Sequence, residues 1–224
     1  MAPTPDHPVI DTTNINEKIY NYLKEKIIDC TYPPGQRIRV QELGKLFGVS
    51  QTPIKDALFR LSGEGFVEVS SRRGTFVKEV TEQDIIDIID VRIILETGAA
   101  EMVVENLTDE QIGRLETLYE ATLRREKNVD YGKFLQQSSR FHTEIIRLTE
   151  NKRLLNIYRT MNGHMHLLRF RFSQNATKRL PGTDKEHLDI LNAFRERNPH
   201  QAKIAIRQHL LMAKKSFLEA KGTP

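Results

Sequence analysis

Gln51, Thr52 and Lys55 carry side chains able to read a nucleic acid. A glutamine amide favours adenine, whereas an arginine in the same place would favour guanine. The three sit at the start of a stretch in which Ile54, Ala57, Leu58 and Leu61 recur at i, i+3, i+4 and i+7, the spacing of one apolar helix face. They point away from that face. They also occupy the exposed N-terminal end of the helix, the part of a recognition helix that meets base edges in the major groove. Arg72 and Arg73 follow in a basic turn suited to phosphate.

The elements that must position these side chains are legible around them. Residues 15–28 place Ile19, Leu23 and Ile27 on one stripe and predict a first helix, which Tyr32-Pro33-Pro34-Gly35 breaks. A short amphipathic run over residues 40–47 ends at Gly48, a residue that accepts positive φ in a sharp turn. Ser50 then stands as the cap of the next helix, and Pro53 is tolerated in its first turn, where no backbone donor is needed. Gly65 stops that helix. Residues 66–69 and 75–77 read as two short strands, with residues 70–74 turning between them. Helix, turn, helix and basic hairpin predict a winged helix-turn-helix.

Composition supports a basic head on a neutral body. The chain has 224 residues, 38% of them hydrophobic, and a net charge of +4. Residues 37–78 hold eight Lys/Arg against four acids, so their excess equals that of the whole chain. Cys30 is the only cysteine, which excludes an intrachain disulfide and a cysteine metal cluster. No apolar run approaches transmembrane length, and a membrane partner is not expected. Residues 1–14 contain Pro3, Pro5 and Pro8 with little periodicity and lack the pattern of a signal peptide. They are expected to be a disordered arm, and the chain is expected in the cytoplasm.

The head resembles that of the GntR family of bacterial transcription regulators. The family's pattern, close to Pro-Gly-x-x-Ile/Leu, then Leu-Ala-x-x-Leu-Gly-Val-Ser-Arg-Thr-Pro-Val-Arg-Glu-Ala-Leu-x-x-Leu, then Gly-Leu-Val and Gly-x-Phe-Val, is approached by Pro34-Gly35-Gln36-Arg37-Ile38, residues 43–61, Gly65-Phe66-Val67 and Gly74-Thr75-Phe76-Val77. The resemblance implies DNA contacts at Arg39, Gln41, Ser50, Gln51, Thr52, Lys55, Arg72, Arg73 and Gly74. Gln51 and Lys55 stand where the family usually has arginine, and Gln41 where a third basic residue is common. An altered operator preference is expected.

The remainder reads as helix throughout. Segments are expected at about 81–105, 108–126, 131–149, 152–172, 184–197 and 200–220, with Thr108-Asp109-Glu110-Gln111 as a capping box and Pro181-Gly182 in a loop. The fold class is therefore mainly α, a winged helix-turn-helix at 15–79 followed by an all-α bundle of about six helices at 81–220. This bundle resembles the FCD-type ligand-binding domain of FadR-like GntR regulators, through Val91-Arg92-x-x-Leu95-Glu96, Phe141-His142, Glu150-Asn151, Glu186-His187-x-x-Ile190 and Gln208-His209-Leu210. Many such domains hold a divalent metal on an Asp or Asn, a His four residues on, and two later histidines. The resemblance implies His142, His187 and His209 as ligands, with Ser138 in the first position, and zinc or nickel as the ion. Serine is a poor ligand. Arg92 resembles the family's arginine that meets a ligand carboxylate; the residues by themselves equally allow an Arg92–Glu96 surface pair at i, i+4. His164 and His166 lie two apart and diverge on a helix, as packing or surface residues.

The function implied is a homodimeric repressor that binds a short inverted repeat of double-stranded DNA and responds to a small organic acid or sugar acid. Two other classes compete. A His-rich bundle could be a metal-dependent enzyme, but no His-Glu-x-x-His and no general base tied to the histidines is evident. An architectural DNA binder without a ligand needs no large helical domain.

Overall fold

The computed structural model describes residues 12–123, 131–172 and 180–219. It divides into two compact units that meet between Glu79 and Val80.

The first unit holds α1 (Thr12–Ile28), β1 (Arg37–Ile38), α2 (Val40–Phe47), α3 (Gln51–Gly63), β2 (Val67–Ser70) and β3 (Gly74–Val77). The stripe Ile19, Leu23 and Ile27 on α1 is buried, as are Ile54, Leu58 and Leu61 on α3 and Phe66 before β2, and the two helices pack on each other. Of the expected arm, residues 1–11 lie outside the described residues; from Thr12 the chain is already helical. Gly48 caps α2 in the left-handed region at φ 65°, as its position in a tight turn requires. Ser50 occupies the N-cap of α3, yet its side chain makes no cap hydrogen bond, so the cap is one of position only. The sheet is antiparallel in the order β1-β3-β2. β1 is too short to show an alternation in sequence. It is held by pairing with β3, Arg37 opposite Phe76 and Ile38 opposite Thr75. Gly74 opens β3 at φ 97°, where an added Cβ would lie 3.3 Å from the Arg37 guanidinium.

The second unit holds α4 (Glu82–Val103), a single 3-10 turn at Val104–Asn106, α5 (Asp109–Leu123), α6 (Tyr131–Arg147), α7 (Lys152–Phe172), α8 (Leu180–Arg195) and α9 (Pro199–Glu219). Two helix starts follow from local chemistry. Thr81 and Asp84 close a reciprocal capping box on α4. Thr108 and Gln111 do the same for α5, with backbone-to-side-chain bonds of 2.8 and 3.2 Å. One boundary is corrected. Pro181 and Gly182 lie inside the first turn of α8 rather than in a loop, since a first turn needs no proline N–H. The core is formed by Ile89 and Ala100 of α4, Phe141 and Ile145 of α6, Ile190 and Phe194 of α8, and Ile206 and Leu210 of α9. Among the described residues, no helix is long and apolar enough to cross a membrane.

Candidate functional site

In the head, burial sorts α3 as its periodicity predicts. Ile54, Ala57, Leu58 and Leu61 are buried, whereas Ser50, Gln51, Thr52 and Lys55 are exposed. Arg39 and Gln41 are exposed around the start of α2, and Arg72 and Arg73 at the tip between β2 and β3. Arg39 pairs with Glu42 at 2.8 Å on an open surface, a contact weak enough for a phosphate to replace. The result is an exposed basic and amide-bearing face at a helix start, beside a basic hairpin tip.

In the helical unit, His142 of α6, His187 of α8 and His209 of α9 come together although far apart in sequence. One ligand nitrogen from each lies within 4.8 Å of the others, and all three residues are buried. The ring centroids of His142 and His187 are 5.1 Å apart, those of His142 and His209 4.9 Å, and those of His187 and His209 4.7 Å. Phe141, preceding His142 on α6, places its ring 5.2 Å from that of His187. Ser138 lies one turn before His142 on the same helix and is buried.

Two carboxylates orient these rings. Nδ1 of His142 donates to Oε2 of Glu96 at 2.7 Å, and Nδ1 of His209 donates to Oε2 of Glu186 at 2.8 Å. An ionised carboxylate only accepts, so each contact puts the proton on Nδ1 and makes Nε2 the basic nitrogen. Nε2 of His142 lies 3.2 Å from Nε2 of His187. Two imidazole nitrogens bound to one zinc ion at about 2.0–2.1 Å, with a tetrahedral angle between them, sit roughly 3.3 Å apart. The donor set thus fits a borderline first-row divalent ion, which His142, His187 and His209 could hold through nitrogen.

Behind His142 lies a buried charge system. Arg92 and Glu96 of α4 form the i, i+4 pair that their spacing allows, with Nε donating to Oε1 at 2.7 Å. It is not a surface pair: the side chains are 2% and 0% exposed. The two residues fall in phase with Ile85, Ile88, Ile89 and Ile93, so the apolar face of α4 carries them inward. Arg92 also donates through Nη2 to the Tyr158 hydroxyl at 3.3 Å, and that hydroxyl donates to Oε1 of Glu96 at 2.9 Å. Burial pushes the Glu96 carboxyl up, but the charge of Arg92 and the hydrogen bonds from His142 and Tyr158 outweigh it, holding the carboxyl down at about 2. The Tyr158 hydroxyl is driven well above its ordinary range, first by burial. His164 and His166 are half-buried on α7.

Sequence reading did not assign Glu96 and Glu186 as partners of the rings, nor Tyr158 to the site. Glu96 was visible only as half of an i, i+4 pair. Glu186 directly precedes His187, yet its bond is to His209 on the next helix, which no local pattern encodes.

Comparison with known proteins matches residues 15–77 to the gntR family of bacterial regulatory proteins and residues 87–211 to the FCD domain. An HTH-type transcriptional regulator of Bacillus subtilis (strain 168), YdhC, is 30% identical over 87% of this chain and 85% of its own length. The HTH-type transcriptional repressor RspR of Escherichia coli (strain K12) is 22% identical over 89% of this chain and 87% of its own. A solved GntR regulator from Rhodococcus sp. RHA1 superposes with a TM-score of 0.79 at 20% identity, covering 92% of this chain and 98% of that one, and shares the fold. The family and these relatives regulate transcription and are not enzymes. The chain belongs to the GntR family of bacterial transcriptional regulators, with a DNA-binding winged helix-turn-helix head followed by an FCD domain.

Proposed function

We propose that this protein is a homodimeric, effector-responsive repressor in which a divalent ion, zinc or nickel, is held by His142, His187 and His209. The observation that carries the reading is the convergence of three buried imidazoles, two of them fixed by carboxylates with Nδ1 protonated, inside the FCD domain of a DNA-binding regulator. When bound, the ion would offer a positive centre for an effector carboxylate. A guanidinium has five N–H groups, more than Glu96 and Tyr158 take from Arg92, so Arg92 is a second anchor for a small organic acid or sugar acid. Ser138, one turn from His142, is the position where a further ligand would enter. The name of the relative RspR as a repressor supports that sign of regulation.

On the DNA side, Gln51, Thr52 and Lys55 meet base edges, while Arg39, Gln41, Ser50, Arg72, Arg73 and the Gly74 backbone meet phosphate or sugar. Dimer symmetry would be mirrored by a short inverted repeat, bound in the cytoplasm. Only a few residues join β3 to α4, giving a short covalent route from the FCD domain to the wing.

The test is operator binding by metal-free and zinc-loaded protein, each titrated with candidate acids. Acid-dependent release of the zinc-loaded form is expected. Operator affinity indifferent to both zinc and every acid tried would overturn the reading.

A further inference from the structure

We infer that Arg92 and Tyr158 are positioning residues for the metal centre, acting on His142 through Glu96. The inference rests on the proposal that the three histidines hold a metal ion.

The two Glu96 oxygens are bonded on opposite sides. Oε1 receives Arg92 Nε at 2.7 Å and the Tyr158 hydroxyl at 2.9 Å. Oε2 receives His142 Nδ1 at 2.7 Å. Arg92 in turn donates to the Tyr158 oxygen, so the donors run in one consistent sense and end on a single carboxylate oxygen. Arg92, Glu96 and Tyr158 come from α4 and α7, whereas the three histidines lie on α6, α8 and α9. Glu96 is the point at which the two groups join.

A carboxylate with no exposure is costly to bury as an anion unless a cation and hydrogen bonds compensate it. Arg92 supplies the cation and Tyr158 the bond. Together they keep Glu96 an acceptor, which keeps the proton of His142 on Nδ1 and its lone pair on Nε2. Were Glu96 protonated or turned away, the ring could take the other tautomer, and Nε2–H cannot ligate. The second oriented ring differs. Its carboxylate, Glu186, is 19% exposed in its side chain, against 0% for Glu96. The His142 arm is therefore the one whose carboxylate is sealed from water, by residues that would not touch the ion.

Tyr158→Phe keeps shape and removes one bond. Zinc affinity is measured by chelator competition for the parent, Tyr158→Phe, Glu96→Gln and the double variant, beside the melting temperature of each metal-free protein. Ile112→Val on α5 serves as a packing control. Tyr158→Phe and Glu96→Gln are each expected to weaken zinc binding, on the order of 10- to 100-fold for loss of such an outer partner. The double variant should bind no more weakly than Glu96→Gln alone, because Tyr158 acts only through that carboxylate. The control should change melting temperature but not affinity. Independently of any metal, imidazole nitrogen NMR of the metal-free parent should show His142 protonated on Nδ1, a signature reduced in Glu96→Gln. Additive effects of the two substitutions, or unchanged zinc affinity in Tyr158→Phe, would overturn the inference while leaving the metal site standing. A parent that binds no zinc overturns the metal site itself, and the inference falls with it.

Discussion

Glu96 and His142 are 46 positions apart in the chain, yet Oε2 of one accepts from Nδ1 of the other at 2.7 Å with both side chains wholly buried. The contact joins α4, which follows the DNA-binding head in sequence, to α6, which carries the first histidine of the cluster. A buried carboxylate is retained here because it has Arg92 on one side and an imidazole on the other.

The first prediction concerns that charge balance. Arg92→Met removes the cation and leaves Glu96 buried without it, which should destabilise the fold by about 3–5 kcal/mol in urea unfolding. Arg92→Met combined with Glu96→Leu replaces both charges by apolar groups and should recover a large part of the loss. A double variant no more stable than Arg92→Met would show that the pair is not the source of the effect.

Metal binding gives the second. Elemental analysis of protein purified without a histidine tag should find close to one divalent ion per chain. His142→Ala, His187→Ala and His209→Ala should each lose it and abolish the rise in melting temperature on adding zinc. Ser138→Asp should tighten binding by adding an anionic oxygen one turn from His142.

Acid should release the ion before it unfolds the protein. Glu96 has a depressed carboxyl, so its stabilising contribution is fully present above the ordinary carboxylate range and is lost progressively as pH falls from that range through about 2. Imidazoles must be neutral to ligate, so protons compete with the ion for them. Lowering pH should therefore discharge zinc while circular dichroism remains that of a folded helical protein. Simultaneous loss of zinc and helicity would contradict this order of events.

Operator recognition supplies a fourth. Gln51→Ala and Lys55→Ala should each weaken the cognate site, and Gln51→Ala should also relax sequence preference by ~1–3 kcal/mol of base discrimination. Arg72→Ala in the wing should weaken all sequences alike and flatten the salt dependence. Three variants that bind as tightly as the parent would show that this exposed face is not the DNA contact.

Coupling between the two units is the fifth. An acid effector should change operator affinity by roughly 5- to 150-fold, and operator should change the effector's affinity by the same factor. Arg92→Lys keeps the charge but loses the planar fork, so it should blunt the response to acid and leave DNA binding without effector intact. Equal release of parent and variant by the same acid would remove Arg92 from the effector site.

Local information determined a good deal of this protein. The apolar repeat of α3 set which of its residues are buried, because a 3.6-residue period puts Ile54, Leu58 and Leu61 on one face, with Thr52 opposite them; Gln51, on the same stripe as Leu58 but in the first turn, is exposed, as is Lys55. Thr81 with Asp84, and Thr108 with Gln111, marked two helix starts, because a capping box is closed within four residues. Gly48 marked the turn for the same local reason. What the tertiary structure decided lies in contacts between distant segments. β1 exists only because β3 pairs with it. Arg92 and Glu96 were correctly spaced for a pair, but whether that pair is bathed in water or sealed in a core depends on which face of α4 the other helices cover. Glu186 sits beside His187 in the chain and serves His209 on another helix, since side chains meet by the packing of α8 on α9 and not by sequence order. The ring nitrogen available to a metal is likewise set by Glu96 and Glu186, residues whose partners only the folded bundle selects.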